Sequence, residues 1–329
     1  MLPFLLLPTL IQAPPPAQAP TLVRDLGFPG FNAFPLGGTV RTAMGHAYFA
    51  VLVADAGPTD RDWSSPLIRD PQTGKSLPSH AGRDVASWLA SQGIGSLRWD
   101  KRSIGSRDPK LDFSLDAQVG DIRAALAFAR QLPEAKGKKL LLVGHGEGAL
   151  LSLLVAKDSD AMLLLALPPQ SMAKTILEQV KLQLPPDRAT GNLAFLDSAF
   201  QAIRANQPTP EAGAEVFPAL VNLVKSLMRP ESLGFVRDTL DLDPWGLAAR
   251  VPVPCAVAWG DRDVQTVKPA TLPAAFPGTV IELPEANHLL KHEARPKADL
   301  NGASALSAYG DDTPLGDLAP LVPWLKGLK

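Results

Sequence analysis

The chain has 329 residues with 32 basic and 33 acidic side chains, a formal charge of −1, so it lacks the basic footprint that binding to a nucleic-acid backbone requires. Hydrophobic residues make up 46% and charged residues 20%, a globular composition whose length suits two domains or one large α/β domain with an insertion. The single cysteine, Cys255, can close no internal disulfide and leaves too few thiolates for a structural zinc or iron–sulfur site.

Residues 1–12 are almost wholly apolar. The run is too short to cross about 30 Å of hydrocarbon as a helix, so no stable membrane insertion is expected. Followed by Ala17-Gln18-Ala19, it has the form of a signal peptide with a small-x-small cleavage site, which would place the mature chain in the periplasm or outside the cell. The absence of Lys or Arg ahead of the run, and Pro20 at the first mature position, suit instead a proline-rich extension on a cytoplasmic protein. Either reading sets a first boundary at residues 1–19.

From about residue 36 the chain alternates apolar runs with helical patterns, the rhythm of a mostly parallel sheet. The runs 48–53, 95–99, 139–143, 161–165, 255–259 and 279–283 are nearly continuously apolar, as strands covered on both faces must be. Helices are expected over 79–92, with Val85, Trp88 and Leu89 on one face, and over 116–131, which opens on Asp116 where the helix dipole favours an acid. From 170 to about 242 the pattern is helical throughout, punctuated by Pro185, Pro186, Pro208, Pro210, Pro218 and Pro230. The expected organisation is a first α/β core segment 20–167, a helical cap insertion 168–243 and a second core segment 244–329, around a doubly wound sheet.

The stretch richest in chemical information is Val143-Gly144-His145-Gly146-Glu147-Gly148-Ala149, where a buried strand runs through a Gly-x-?-x-Gly frame straight into a helix. In a nucleophile elbow, Gly-x-Ser-x-Gly, the central side chain sits on a strained strand-to-helix turn and the glycines let the helix approach the strand. Here the centre is Gly146, which has no nucleophilic atom. Downstream, Asp261 and Asp263 close one strand and His288 follows the next. The order elbow, acid, histidine is that of the α/β-hydrolase triad. Upstream, the small-residue turn Ala54-Asp55-Ala56-Gly57-Pro58 after a strand can aim a backbone N–H at a developing oxyanion.

At these residues the chain resembles the α/β-hydrolase superfamily. Two further blocks, Asp55-Ala56-Gly57-Pro58-Thr59-Asp60-Arg61-Asp62 and Asp100-Lys101-Arg102-Ser103-Ile104-Gly105, are similar to those of bacterial carboxylesterases that carry Gly-Ser-Gly-Pro-x-Asp-Arg-Asp and Asp-Lys-Arg-Gly-x-Gly. The likeness spans about residues 36–324. It implies an α/β-hydrolase fold with a helical cap, a carboxylic ester substrate and serine-type acyl transfer, with Gly146 at the nucleophile position, Asp263 as the acid and His288 as the base. The oxyanion amides would come from Glu147 and from the turn at Ala56 and Gly57. The chain departs from the pattern in three places: Gly146 for Ser, Asp55-Ala56 for Gly-Ser, and Ser103 for Gly.

Other readings are plainer. His145 is a packed neighbour of the elbow, His46 and His80 are surface or helix-start residues, and His292 lies in a more polar run. Asp100 and Arg102 are expected to pair and brace the site loops. The Leu-rich stretch 220–227 is expected to pack helix on helix, with some side chains walling an acyl pocket. No metal or organic cofactor is implied, since no Walker loop, dinucleotide fingerprint or zinc spacing occurs.

As written, the chain is expected to be inactive or strongly impaired as a serine esterase, and Gly146→Ser is expected to restore the nucleophile at a small cost in stability. Two alternatives stand beside this: a non-catalytic protein that binds a small apolar ligand, and a hydrolase or lyase in which His288 is a direct general base. A peptidase is a less favoured variant of the first reading. The expected partners are small ester or acyl molecules.

Overall fold

The computed structural model describes residues 21–70, 73–104 and 111–328; the N-terminal run read as signal or extension lies outside them. The strands are β1 (Val23–Pro29), β2 (Pro35–Arg41), β3 (Tyr48–Val53), β4 (Gly95–Trp99), β5 (Lys139–His145), β6 (Ala161–Leu165), β7 (Cys255–Gly260) and β8 (Thr279–Leu283). They form one eight-stranded sheet in the order β1-β2-β4-β3-β5-β6-β7-β8. β2 runs antiparallel to both its neighbours, β1 and β4, and the six strands β3 to β8 are mutually parallel.

Helices α1 (Ala81–Ser91), α2 (Leu115–Ala129) and α3 (Glu147–Leu153) alternate with the parallel strands. In a strand, successive side chains face opposite sides of the sheet. Phe49, Val51 and Val53 of β3 accordingly join one core with α2 and α3, while Tyr48, Ala50 and Leu52 join the other with α1. This two-sided burial explains the unbroken apolar runs of the central strands.

The sequence reading did not anticipate β1 and β2. β2 reads Pro-Leu-Gly-Gly-Thr-Val-Arg, and its glycines, proline and polar residues hide the strand pattern. Position near the sheet edge tolerates them.

Between β6 and β7 come α4 (Met172–Gln183), α5 (Pro186–Ala205), α6 (Pro218–Leu227), α7 (Pro230–Thr239) and α8 (Pro244–Ala248). Pro opens α5, α6, α7 and α8, where its missing N–H costs no helix hydrogen bond and its φ suits the first turn. α4 to α7 enclose a cluster of their own, with Leu196, Ala199, Phe200, Ile203 and Val224 at its centre. α9 (Val322–Gly327) packs on the α1 side of the sheet through Leu325. Among the described residues no helix is long and apolar enough to cross a membrane. Cys255 is free and buried, and burial pushes its thiol up to about 12, leaving it unreactive.

Asp100 and Arg102 do not pair with each other, contrary to expectation. Arg102 reaches Asp121 on α2 by two hydrogen bonds, at 2.7 and 2.8 Å, with both side chains buried. Asp100 pairs with Arg61 at 2.7 Å. Their side chains leave the loop after β4 toward different elements, which residue spacing alone does not reveal. Replacing Asp121 by Ala would leave the Arg102 guanidinium buried without its carboxylate. We expect a loss of about 3–5 kcal/mol, read as a lower denaturant midpoint; a loss under about 1 kcal/mol would show that Arg102 finds water or another partner.

Candidate active site

The turns after β3, β4, β5, β7 and β8 meet at one rim of the sheet, the carboxyl ends of its parallel strands, where open α/β sheets place their sites. β3 and β5 are neighbours in parallel register, with Val53 opposite Gly144. Two residues further along each chain stand Asp55 and Gly146.

Gly146 has φ 54° and ψ −120°, a conformation in which a Cβ is strained. A Cβ built on it would also collide with the Asp55 carboxylate. Gly148 is needed for a different reason: a Cβ there would strike the carbonyls of Val53 and Ala54, so the start of α3 can lie against β3 only if residue 148 has no side chain.

The Asp55 side chain fills the space that a residue-146 side chain would take. Its Oδ1 accepts the backbone N–H groups of Ala56 and Glu147, each at 2.7 Å. Its Oδ2 accepts from His288 Nε2 at 2.9 Å. On the other side of the ring, His288 Nδ1 donates to Asp263 Oδ2 at 2.9 Å. Asp263 is fully buried, and its Oδ1 accepts the N–H groups of Gln265 and Thr266 at 2.7 and 2.8 Å. Asp261 is turned elsewhere and pairs with Arg262. Gly57 has φ 74° and lines the adjoining cavity.

Burial works against a charged imidazole, but Asp263 and then Asp55 outweigh it, and the His288 pKa is raised to about 10. Burial also works against the Asp55 charge, and the hydrogen bond from His288, with the positive charge beside it, holds its carboxyl well below the usual carboxylate range. At neutral pH the site therefore sets the Asp55 carboxylate against a His288 imidazolium, whose other nitrogen meets Asp263.

His145 is fully buried and stacks on Trp63 with centroids 4.9 Å apart. Its Nε2 lies 2.7 Å from the His288 carbonyl oxygen, which can only accept, so Nε2 carries the proton and Nδ1 is bare. Burial lowers its pKa and keeps the ring neutral. Nδ1 has no hydrogen-bond partner and lies 3.8 Å from Asp55 Oδ2. Among the described residues, Asp55, His145 and His288 are the group with the spacing of metal ligands, within 4.8 Å of one another. As an imidazolium His288 has no lone pair to offer, so a cation there would first have to displace its proton.

The two upstream blocks brace this rim. Asp60 Oδ1 accepts from the N–H groups of Asp62 and Ser64 and closes its own loop. Arg61 clamps Asp100, and Asp62 pairs with Arg98 of β4 at 2.9 Å. Lys101 Nζ donates to the Asp55 carbonyl at 2.8 Å and to Glu147 Oε1 at 3.1 Å, tying the β3 and β5 turns together.

A cavity of about 500 Å³ opens beside Ala54, Gly57 and Glu147, with Trp99, Phe113, Ile122, Leu151 and Phe235 among its walls. The inserted helices reach it through α7 and the residue preceding it, with Arg229, Glu231, Ser232 and Phe235. The stretch 220–227, expected mainly to pack helix on helix, does so, with Leu220, Val221, Val224 and Leu227 in the insertion's own core; the pocket-walling part of that expectation falls to α7 instead.

Asp55 is the residue that sequence reasoning missed. The signal was a pair of departures from the resembling pattern: residue 146 loses a side chain and residue 55 gains one. Only the register of β3 against β5 shows that the two positions share one space. Gly146→Ser alone is therefore not a simple restoration, as the sequence suggested, because Asp55 already stands there.

His288 should titrate near pH 10, and imidazole NMR should find it protonated at pH 7, with Asp55→Asn lowering the midpoint. Its folded pKa lies above the ordinary 6.5, so the stabilisation is complete below about pH 6.5 and is lost as pH rises through about 10. The stability gap between the parent chain and His288→Gln should close over that window. A neutral His288 at pH 7 would contradict the pairing described above.

No known family profile matches the chain. In sequence it is 24% identical to esterase EstD of Thermotoga maritima over 245 residues, 74% of this chain and 51% of that protein, so it spans about half the length of that curated relative. In structure it is similar to the esterase Pf2001 of Pyrococcus furiosus, with a TM-score of 0.51 and 15% identity over 82% of this chain and 84% of the other. It is also similar to DcsB, solved in complex with its substrate analogue, with a TM-score of 0.50 and 16% identity over 93% and 99%. The chain has the α/β-hydrolase fold, and esterases are among the proteins it resembles.

Proposed function

We propose that the chain is a small-molecule hydrolase on an esterase framework in which the serine route of acyl transfer is closed. His288, oriented by Asp263, is the base of that framework. The N–H groups of Glu147 and Ala56 are its oxyanion donors, and residue 146 is the position where a serine would act. The observation that carries the reading is the Asp55 carboxylate: it takes the nucleophile's space, occupies both amides with one oxygen and engages His288 with the other. An ester carbonyl cannot use those amides while Oδ1 holds them. The apolar walls of the adjoining cavity suit a small, mainly apolar ligand, and the resemblance to EstD and Pf2001 supports an ester-hydrolysing ancestry.

The test is an ester panel on four proteins: the parent chain, Gly146→Ser, Asp55→Gly and the double variant. The parent and both single variants should stay at or below the ~10³–10⁴-fold acceleration over water that binding and oxyanion donors give without a complete triad. The double variant should turn over short-chain esters well above that level. Turnover by the parent equal to that of the double variant, or an inert but folded double variant, would overturn the reading.

A further inference from the structure

Three side chains at the rim converge on one point. Asp55 Oδ2 lies 2.9 Å from His288 Nε2 and 3.8 Å from His145 Nδ1, and the three atoms lie within 4.8 Å of one another. The His145 nitrogen is the informative one. Its ring is fully buried, its Nε2 donates to the His288 carbonyl at 2.7 Å, and its Nδ1 lone pair has no hydrogen-bond partner. A buried acceptor without a donor is costly and calls for an explanation. Asp55 Oδ2 is itself an acceptor, so two lone pairs face each other across the gap. A cation between them would satisfy both.

The outer partners of the two rings point the same way. A metal-bound histidine usually donates its other ring N–H to a carboxylate or a backbone carbonyl, which fixes the tautomer and aims the free lone pair at the ion. Both histidines have such a partner: His288 Nδ1 donates to the fully buried Asp263, and His145 Nε2 to the His288 carbonyl. Stacking on Trp63 fixes the plane of the His145 ring. Asp55 Oδ1 is held by the N–H groups of Ala56 and Glu147, which leaves Oδ2 facing the histidines.

We propose that Asp55, His145 and His288 bind a divalent cation of the zinc class through Oδ2, Nδ1 and Nε2. Two imidazoles and one carboxylate suit Zn²⁺ or Co²⁺ and not Mg²⁺ or Ca²⁺, which take oxygen ligands. Bonds of about 2.0–2.1 Å set neighbouring ligand atoms roughly 3 Å apart. The Asp55–His288 spacing already fits this, and the His145 nitrogen must draw nearer. The ion takes the place of the proton that His288 Nε2 shares with Asp55 Oδ2, and that proton leaves to solvent. The 24% exposure of the Asp55 side chain gives a path of entry, and water fills the positions that three protein ligands leave open. The sequence shows no zinc spacing because the ligands come singly from the turn after β3, the end of β5 and the turn after β8. The site requires no ester turnover, so it can fail or stand independently of the acyl-transfer framework.

The experiment titrates the chelator-treated full chain with zinc sulfate in competition with a chromogenic chelator. One ion per chain should bind at micromolar zinc, and excess Mg²⁺ should not displace it. X-ray absorption of the zinc-loaded parent should show two imidazoles and a carboxylate oxygen around the ion. Asp263→Asn should weaken binding by ~10–100-fold with both imidazoles retained, and Asp55→Asn and His145→Phe should each weaken it further. Tight binding that both Asp55→Asn and His145→Phe retain would place the ion elsewhere, such as at the His80–Asp62 or His292–Glu285 pair, and would overturn the proposal. So would fewer than two imidazoles around the ion. Absence of binding at millimolar zinc would leave the Nδ1 lone pair to water and would also overturn it. A parent that binds no zinc beside an ester-hydrolysing double variant would sink the metal site alone; a zinc-binding parent beside an inert, folded double variant would sink the acyl-transfer framework alone. The absorption result on the parent stands even if a variant fails to fold.

Discussion

The arrangement of the site depends on the parallel pairing of β3 with β5. That register puts Val53 beside Gly144, and by continuation it puts residue 55 beside residue 146. Everything else at the rim adjusts to what those two positions hold between them. With no side chain at 146, a carboxylate from the neighbouring turn fits into the gap, reaches both backbone amides and meets the imidazole. A half-buried carboxylate is costly unless it is paired and hydrogen-bonded; here both conditions are met by groups at hydrogen-bond distance.

The surrounding charges follow the same logic. Asp263 and Asp55 flank one imidazole, and their combined field overcomes its burial. Lys101 joins the carbonyl of Asp55 to the side chain of Glu147, so the residue that supplies a carboxylate and the residue that supplies an amide are held by one ammonium group. The Arg61–Asp100, Arg98–Asp62 and Arg102–Asp121 pairs extend this bracing to β4 and α2. The rim is thus supported by charge pairs, while the two faces of the sheet beneath it are apolar.

The fold was largely legible in the sequence because its central strands are buried on both faces and leave continuous apolar runs. β1 and β2 carry Gly, Pro and polar residues in place of such a run and could not be read. The elbow frame and the acid and histidine beyond it could be read because each sits at the end of an apolar run. Partners could not: that Arg102 turns to Asp121 and Asp100 to Arg61, or that α7 instead of α6 faces the cavity, depends on directions in space that spacing along the chain does not carry.

By itself the sequence determined the alternation of strand and helix, and that residue 146 bears no nucleophilic atom, since these are properties of local pattern and residue type. It also showed that residue 55 is an acid where the resembling proteins have glycine. Only the tertiary structure decided that the two changes meet. The contact joins positions far apart in the chain and arises from strand order and register, and these are set by packing of the whole sheet. A local stretch of sequence holds no record of that neighbour.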